Sequence, residues 1–262
     1  MTRHRSRQRI VFRSATRVVV LLALLGGVAF AGFLGFDRVS HRQDQPSAAQ
    51  VAEPTQDPLF KAPPTVLVIS DSIGAPPDAA IQKSYPDELA KMMRWNLVFD
   101  VVGGRGYVET DMSRFDKGPV APVIDSLKYD ADNFRADYII LDVGRNDLGG
   151  KDPDDVIAAA DHYFTQLRSY YPKAKIVVML PAYINSMKGG TYDIIAGPMR
   201  QSAERIGAYV LEPIAEGWYD GDLTPYMFTD EIHLNDAGAV FYADKIARDL
   251  RRLGVTTSDG SE

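Results

Sequence analysis

Three short stretches of this 262-residue chain hold side chains whose types and spacing could do chemistry. Ser70-Asp71-Ser72-Ile73-Gly74 follows the apolar run Val66–Ile69, and Gly144-Arg145-Asn146-Asp147 follows the run Tyr138–Leu141. Asp230-Glu231-Ile232-His233 stands shortly before the last amphipathic segment. A hydroxyl nucleophile, a carboxamide donor and an imidazole with a carboxylate three residues ahead of it are the groups that cleave and reform acyl bonds.

A serine hydroxyl attacks only when a base takes its proton, and histidine does this at neutral pH because its pKa lies near 6.5. Of the four histidines, His4 and His41 precede the folded region, and His162 sits in a helical pattern as a surface or half-buried residue. His233 remains, with Asp230 placed to accept from Nδ1 and fix the tautomer; the competing reading is a plain turn with a surface histidine. The oxyanion needs donors, for which Asn146 Nδ2 and the backbone N–H groups of Ser72 and Gly106 are the candidates. Each has an ordinary alternative, an Asx-type turn for Asn146 and a strand-to-loop turn for Gly106. Ser70 is a rival nucleophile by composition, but as the last residue of its strand it is the weaker choice.

These groups meet only if the chain supplies the right scaffold. Thr65–Ser70, Leu97–Val102, Asp137–Val143, Lys175–Leu180 and Tyr209–Pro213 read as buried strands. Helical patterns cover Tyr85–Trp95, the segment from Asp152 carrying Val156, Ala160, Tyr163 and Leu167, a core over Met199–Ile206, and a last helix with Val240, Ala243, Ala247 and Leu250 on one face. Asp152 followed by Pro153 marks one helix start, and Asn235 caps the last helix. Strand alternating with helix predicts an α/β fold, a three-layer α/β/α domain on a five-stranded parallel sheet. Ligands bind such sheets beyond the carboxyl ends of the strands, where Ser72, Gly106 and Asn146 all fall.

Bulk properties exclude other chemistry. The chain has no cysteine, which removes thiol nucleophiles, disulfides and Cys-based metal sites. Residues 1–42 contain eight arginines and one acid, leaving the remainder with 21 basic against 34 acidic side chains, a net of −13. Such a body repels nucleic acid, so none is expected as a partner. Asp152, Asp154 and Asp155 are explained by helix capping and call for no metal. Gly103-Gly104-Arg105-Gly106 lacks the Lys-Ser/Thr of a phosphate loop, and no cofactor is expected.

The N-terminus reads as a basic tail (1–17) followed by nineteen uncharged, apolar or small residues, Val18–Phe36. That length matches a hydrocarbon core of about 30 Å, and the arginines ahead of it place the body outside the cytoplasm. Ala29-Phe30-Ala31 also offers a signal-peptidase pattern, so the segment is a signal-anchor or a cleaved signal peptide. Ala23, Gly27, Ala31 and Gly35 form a small-residue face, ordinary for a span or suited to helix pairing. Residues 37–64, with five prolines and four glutamines, form a linker, 65–254 the folded domain, and 255–262 a disordered tail.

In this order and on these elements, the stretches resemble the SGNH subgroup of the GDSL esterase/lipase family. Ser70-Asp71-Ser72 corresponds to its Gly-Asp-Ser block, and Gly144-Arg145-Asn146-Asp147 to its Gly-x-Asn-Asp block. Asp230 and His233, followed by Leu234-Asn235-Asp236-Ala237-Gly238, correspond to its Asp-x-x-His block. The likeness covers about 65–253 and implies a flavodoxin-like SGNH hydrolase fold. It implies a Ser72–His233–Asp230 triad with an oxyanion hole of Ser72, Gly106 and Asn146, and Gly103 or Gly104 as alternatives for the glycine. The chain departs at Ser70, where the family has glycine, and in the second block, which lacks an asparagine ahead of Gly106. The likeness to the Gly-x-Ser-x-Gly elbow of α/β-hydrolases is misleading, because here the serine follows the first strand and acid and base share one tetrapeptide.

The expected activity is a membrane-tethered, exported serine esterase acting on short acyl esters of cell-envelope carbohydrate or lipid. An O-acyltransferase with the same triad and a non-catalytic envelope-binding module are the alternatives. Pro181–Met199 is a substrate-shaping flap or a plain connection, and Trp218, Tyr219 and Tyr226 line a subsite or pack half-buried.

Overall fold

The computed structural model of the chain describes residues 62–76, 81–111, 118–182 and 190–255. The basic tail, the apolar run 18–36, the linker up to residue 61 and the tail from 256 lie outside the described residues. Among those described, no helix is long and apolar enough to cross a membrane.

In chain order the elements are β1 (Thr65–Ser70), α1 (Tyr85–Met93), β2 (Asn96–Val101), β3 (Thr110–Asp111), β4 (Pro119–Val120), α2 (Ile124–Asn133), β5 (Tyr138–Asp142), α3 (Pro153–Tyr170), β6 (Lys175–Met179), α4 (Thr191–Arg205), β7 (Tyr209–Leu211) and α5 (Asp236–Arg252). Five strands form one parallel sheet in the order β2-β1-β5-β6-β7, while β3 and β4 make a separate antiparallel pair. Strand β1 shows why both faces are covered. Val66 and Val68 pack with Leu89 and Met93 of α1 and Tyr242 and Ile246 of α5. Leu67 and Ile69 point the other way, into Leu127 of α2, Phe164 and Leu167 of α3, and Ile195 and Met199 of α4. The result is a three-layer α/β/α arrangement, as the alternation of strand and helix predicts.

Large buried side chains such as these each stabilise by about 2 kcal/mol, against about 1 kcal/mol for a helix cap, so packing places an element and caps set its start. Asp152 accepts from Asp154 N–H at the start of α3, and Asn235 from Gly238 N–H at the start of α5, as expected. Packing overrides local sequence in α4. The sequence places the core of this helix over Met199–Ile206, just past Gly197-Pro198, yet the helix begins at Thr191 and carries Pro198 inside it. Tyr192, Ile195, Ala196 and Met199 all reach the core, which outweighs the hydrogen bond that proline removes. The long loop expected over Pro181–Met199 is therefore shorter, and most of it (183–189) lies outside the described residues. Helix α2 and the β3–β4 pair have no counterpart in the sequence reading.

The sheet register sets the site. Ser70 of β1 lies opposite Val101 of β2 and Asp142 of β5, so the carboxyl ends of three neighbouring strands are level. The chain leaves β1 and β5 at the point where the strand order reverses, the place where sheets of this kind offer a ligand crevice.

A buried polar cluster between β2 and α2 makes stability depend on pH. Asp100 accepts from Arg105 and, at 2.6 Å, from Ser126 Oγ. Asp130 lies beside it, 1 % exposed. Burial, then the charge of Asp100 and a hydrogen bond shared with it, raise the Asp130 carboxyl from 3.8 to about 7. The folded state thus holds this proton more tightly than the unfolded chain. The stabilisation it brings is complete below about pH 4 and is lost as pH rises through 7. Between pH 6 and pH 8 the loss is about 1 kcal/mol, half a proton over two units at 1.36 kcal/mol each. Denaturant unfolding of Asp130→Asn should show a pH slope shallower by this amount; an unchanged slope contradicts the assignment.

Candidate active site

The nucleophile candidate sits on a tight turn. Two residues past β1, Ser72 opens a one-turn 3-10 helix (Ser72–Gly74) whose N-cap is Asp71, with Asp71 Oδ1 accepting from Ile73 N–H at 3.0 Å. This leaves the Ser72 side chain half-buried at the crevice. Ser70 is fully buried and donates its Oγ to the Asp142 carbonyl at 3.2 Å, so it is held away from any ligand.

The base candidate, His233, comes from the far end of the chain, and local structure explains how it arrives. Phe228 N–H donates to the His233 carbonyl at 2.8 Å, closing the loop around Asp230. Glu231 takes a left-handed backbone, φ 58°, which turns the chain so that Asp230 and His233 face each other. Asn235 then fastens the loop to α5: its Nδ2 donates to the Pro225 and Met227 carbonyls, both at 2.9 Å. Gly238 is required there, since a Cβ would come within 2.0 Å of the Tyr226 carbonyl oxygen. Residues 234–238, similar in type to the family's last block, thus dock the histidine loop on its helix.

With these pieces in place, His233 Nε2 lies 2.8 Å from Ser72 Oγ, and His233 Nδ1 lies 2.7 Å from Asp230 Oδ2. Asp230 Oδ1 also accepts from the Ile232 and His233 N–H groups, each at 2.9 Å. Partial desolvation acts to raise the Asp230 carboxyl, but these backbone bonds and the imidazole outweigh it and hold the carboxyl below its ordinary range. The acid therefore stays ionised beside the imidazole. Three residues from one strand end and one late loop form a continuous hydroxyl–imidazole–carboxylate chain.

The opposite wall is built from the loops after β2 and β5. Asn146 lies on a second one-turn 3-10 helix (Arg145–Asp147), and its Nδ2 donates to the Arg105 carbonyl at 2.9 Å. One amide hydrogen is used there, and the other has no acceptor among the described residues and can meet a ligand. The bond also ties Asn146 to the residue before Gly106. Gly106 needs to be glycine for a specific reason: a Cβ would stand 2.3 Å from Asp147 Oδ1. That carboxylate accepts from the Tyr107 and Val108 N–H groups at 2.7 and 3.3 Å and so fixes the Gly106 loop. Burial raises Asp147 to about 6, the two backbone bonds partly offsetting it. The Gly104 carbonyl accepts from Thr110 Oγ1.

His162 is exposed on α3. Trp218 is fully buried, with Nε1 donating to Asp249 at 2.9 Å, so it is core and not a subsite wall. Tyr226 stacks on Phe241 at 4.4 Å between ring centroids. Among the described residues no cluster of three or more His, Asp or Glu is arranged to hold a metal ion. Sequence reasoning missed a buried ionic cluster below the crevice, in which Arg145 joins Asp71, Asp142 and Tyr242. Its one visible signal is a charged residue, Asp142, closing the apolar run of β5.

Comparison with known proteins identifies the family. The sequence profile of the GDSL-like lipase/acylhydrolase family matches residues 70–240. GDSL lipase Rv0518 of Mycobacterium tuberculosis is 30 % identical over 114 residues, 42 % of this chain and 49 % of its own length. The chain thus spans about half the length of that curated relative. LAE5, an α/β hydrolase enzyme from the metagenome of Lake Arreo, Spain, superposes with TM-score 0.56 at 18 % identity, covering 76 % of this chain and 99 % of its own. Est24, a carbohydrate acetylesterase from Sinorhizobium meliloti, gives TM-score 0.53 at 17 % identity over 72 % of this chain and 99 % of its own. At such identities the two structures speak for the fold, whereas the profile spans the stretches carrying Ser72, Asn146 and His233. By that match, the chain belongs to the GDSL-like lipase/acylhydrolase family.

Proposed function

We propose that this protein is a serine esterase that cleaves carboxylic esters through an acyl-enzyme on Ser72. The observation that carries the reading is the unbroken hydrogen-bonded chain Ser72 Oγ–His233 Nε2–Asp230, at 2.8 and 2.7 Å. His233 takes the Ser72 proton as Oγ attacks the ester carbonyl, and Asp230 stabilises the imidazolium. The oxyanion accepts from the Ser72 and Gly106 N–H groups and Asn146 Nδ2. The tetrahedral intermediate expels the alcohol, which takes the proton from His233. Water, deprotonated by His233, then attacks the acyl-serine and releases the acid.

As substrate we propose short acyl esters on carbohydrate or lipid. The carbohydrate acetylesterase Est24 supports the first by its shared fold, and the M. tuberculosis lipase supports the second by sequence. We further propose that the domain (65–254) lies outside the cytoplasm on an N-terminal anchor (18–36) and linker (37–64). The arginine-flanked apolar run supports this. Hydrolysis of p-nitrophenyl esters and of acetylated oligosaccharides by the full-length protein tests the reading. Short chains should turn over faster than long ones, and Ser72→Ala should abolish turnover; equal rates for variant and parent would overturn it.

A further inference from the structure

We propose that Arg145 is a positioning residue for the nucleophile: its guanidinium locks the one-turn helix bearing Ser72 to the one-turn helix bearing Asn146. This rests on the reading of Ser72 as nucleophile. The position is the variable one in the Gly-x-Asn-Asp stretch, so motif reasoning gives it no task. Yet Arg145 is 2 % exposed, and burying a guanidinium is unfavourable unless every face of it is paired.

Its bonds account for the burial. Nη1 donates to both carboxylate oxygens of Asp71, at 3.3 and 3.2 Å, and to the Asp142 carbonyl at 3.2 Å. Nη2 donates to the Asp142 carboxylate and, at 2.7 Å, to Tyr242 Oη. Nε donates to the Ala182 carbonyl at 3.0 Å. One planar group thereby joins the turn after β1, the end of β5, the segment after β6 and helix α5, which follows the His233 loop. These segments carry Ser72, Asn146 and His233, or lead directly from them.

The contact that matters most for chemistry is with Asp71. This residue immediately precedes Ser72, and its carboxylate caps the Ser72 turn through Ile73 N–H. Burial and the charge of Asp142 push the Asp71 carboxyl toward its neutral form, while Arg145 opposes them. Arg145 itself remains a cation because Asp142, Tyr242 and Asp71 outweigh its burial. A forked, planar donor is needed, since a lysine ammonium cannot reach Asp71, Asp142 and Ala182 together. Loosening the fork lets the Ser72 turn move relative to Asn146, and a misplacement of about 1 Å between reacting groups costs roughly 100-fold in rate.

The test uses full-length Arg145→Lys and Asp71→Asn, with Tm measured beside kcat and KM on p-nitrophenyl acetate. The rate of Ser72 labelling by an organophosphonate is read on the same proteins. The proposal expects both variants to lose about 10- to 100-fold in kcat and in labelling rate, with KM within about twofold. Wild-type kcat in either folded variant overturns it, as does a loss confined to KM. If Arg145→Lys does not fold, Asp71→Asn decides, because it keeps an acceptor for Ile73 and removes only the charge partner. Failure of the esterase reading is separable: there the wild-type protein itself shows no label on Ser72.

Discussion

Ser72→Ala should lower kcat by about 10⁴- to 10⁶-fold, and His233→Ala should do nearly the same. The two groups act as one unit, because the hydroxyl gains nucleophilicity only through the imidazole 2.8 Å away. The double variant should therefore be no worse than Ser72→Ala alone, although independent effects would multiply. Asp230→Asn should be milder. The Ile232 and His233 N–H bonds to Oδ1 can survive in the amide, while the ring loses its ionised partner. Steady-state kinetics on a short-chain ester, with circular dichroism to show retained fold, checks all four proteins. Additive losses would mean that Ser72 and His233 do not share a proton.

The second large effect is expected across the crevice. Asn146→Ala removes one donor from the oxyanion, and loss of a single such donor costs about 10²- to 10³-fold in kcat. Gly106→Ala should match or exceed it for a different reason. Its methyl would stand 2.3 Å from Asp147 Oδ1, and that carboxylate is held by two backbone N–H groups. Either the loop or the carboxylate must shift, and a shifted loop takes the Gly106 N–H away from the oxyanion. Gly106→Ala should lower Tm as well as kcat, whereas Asn146→Ala should change kcat with little change in Tm. A Gly106→Ala protein with parental kcat would remove Gly106 from the oxyanion hole.

Much of this site could be read from the chain, because its parts are local. Ser72 and the Asp230–His233 pair stand out as candidates in the chain, but each alone fits a plain turn. It is their order on alternating strands and helices, with the family resemblance, that joins them into one site. Asn146 follows from its place after β5, and the helix starts from Asp152 and Asn235. Each signal lies within a few residues of the feature it marks. What stayed hidden depends on distant segments. Arg145 and Asp142 look like ordinary charges until β1, β5 and α5 converge on them. The need for glycine at 106 comes from the carboxylate of Asp147, distant in the chain. Helix α2 escaped because Ile124–Asn133 is largely polar and has no side-chain cap at its start. The start of α4 was masked by Pro198, whose local penalty is overcome only by a core the sequence does not display.

Peptide mapping by mass spectrometry after a stoichiometric organophosphonate inactivates the full-length protein tests the central claim most directly. The account predicts one adduct per chain, on Ser72, formed in step with loss of esterase activity and strongly slowed in His233→Ala. An adduct on any other serine, or full activity in protein labelled at Ser72, would contradict it.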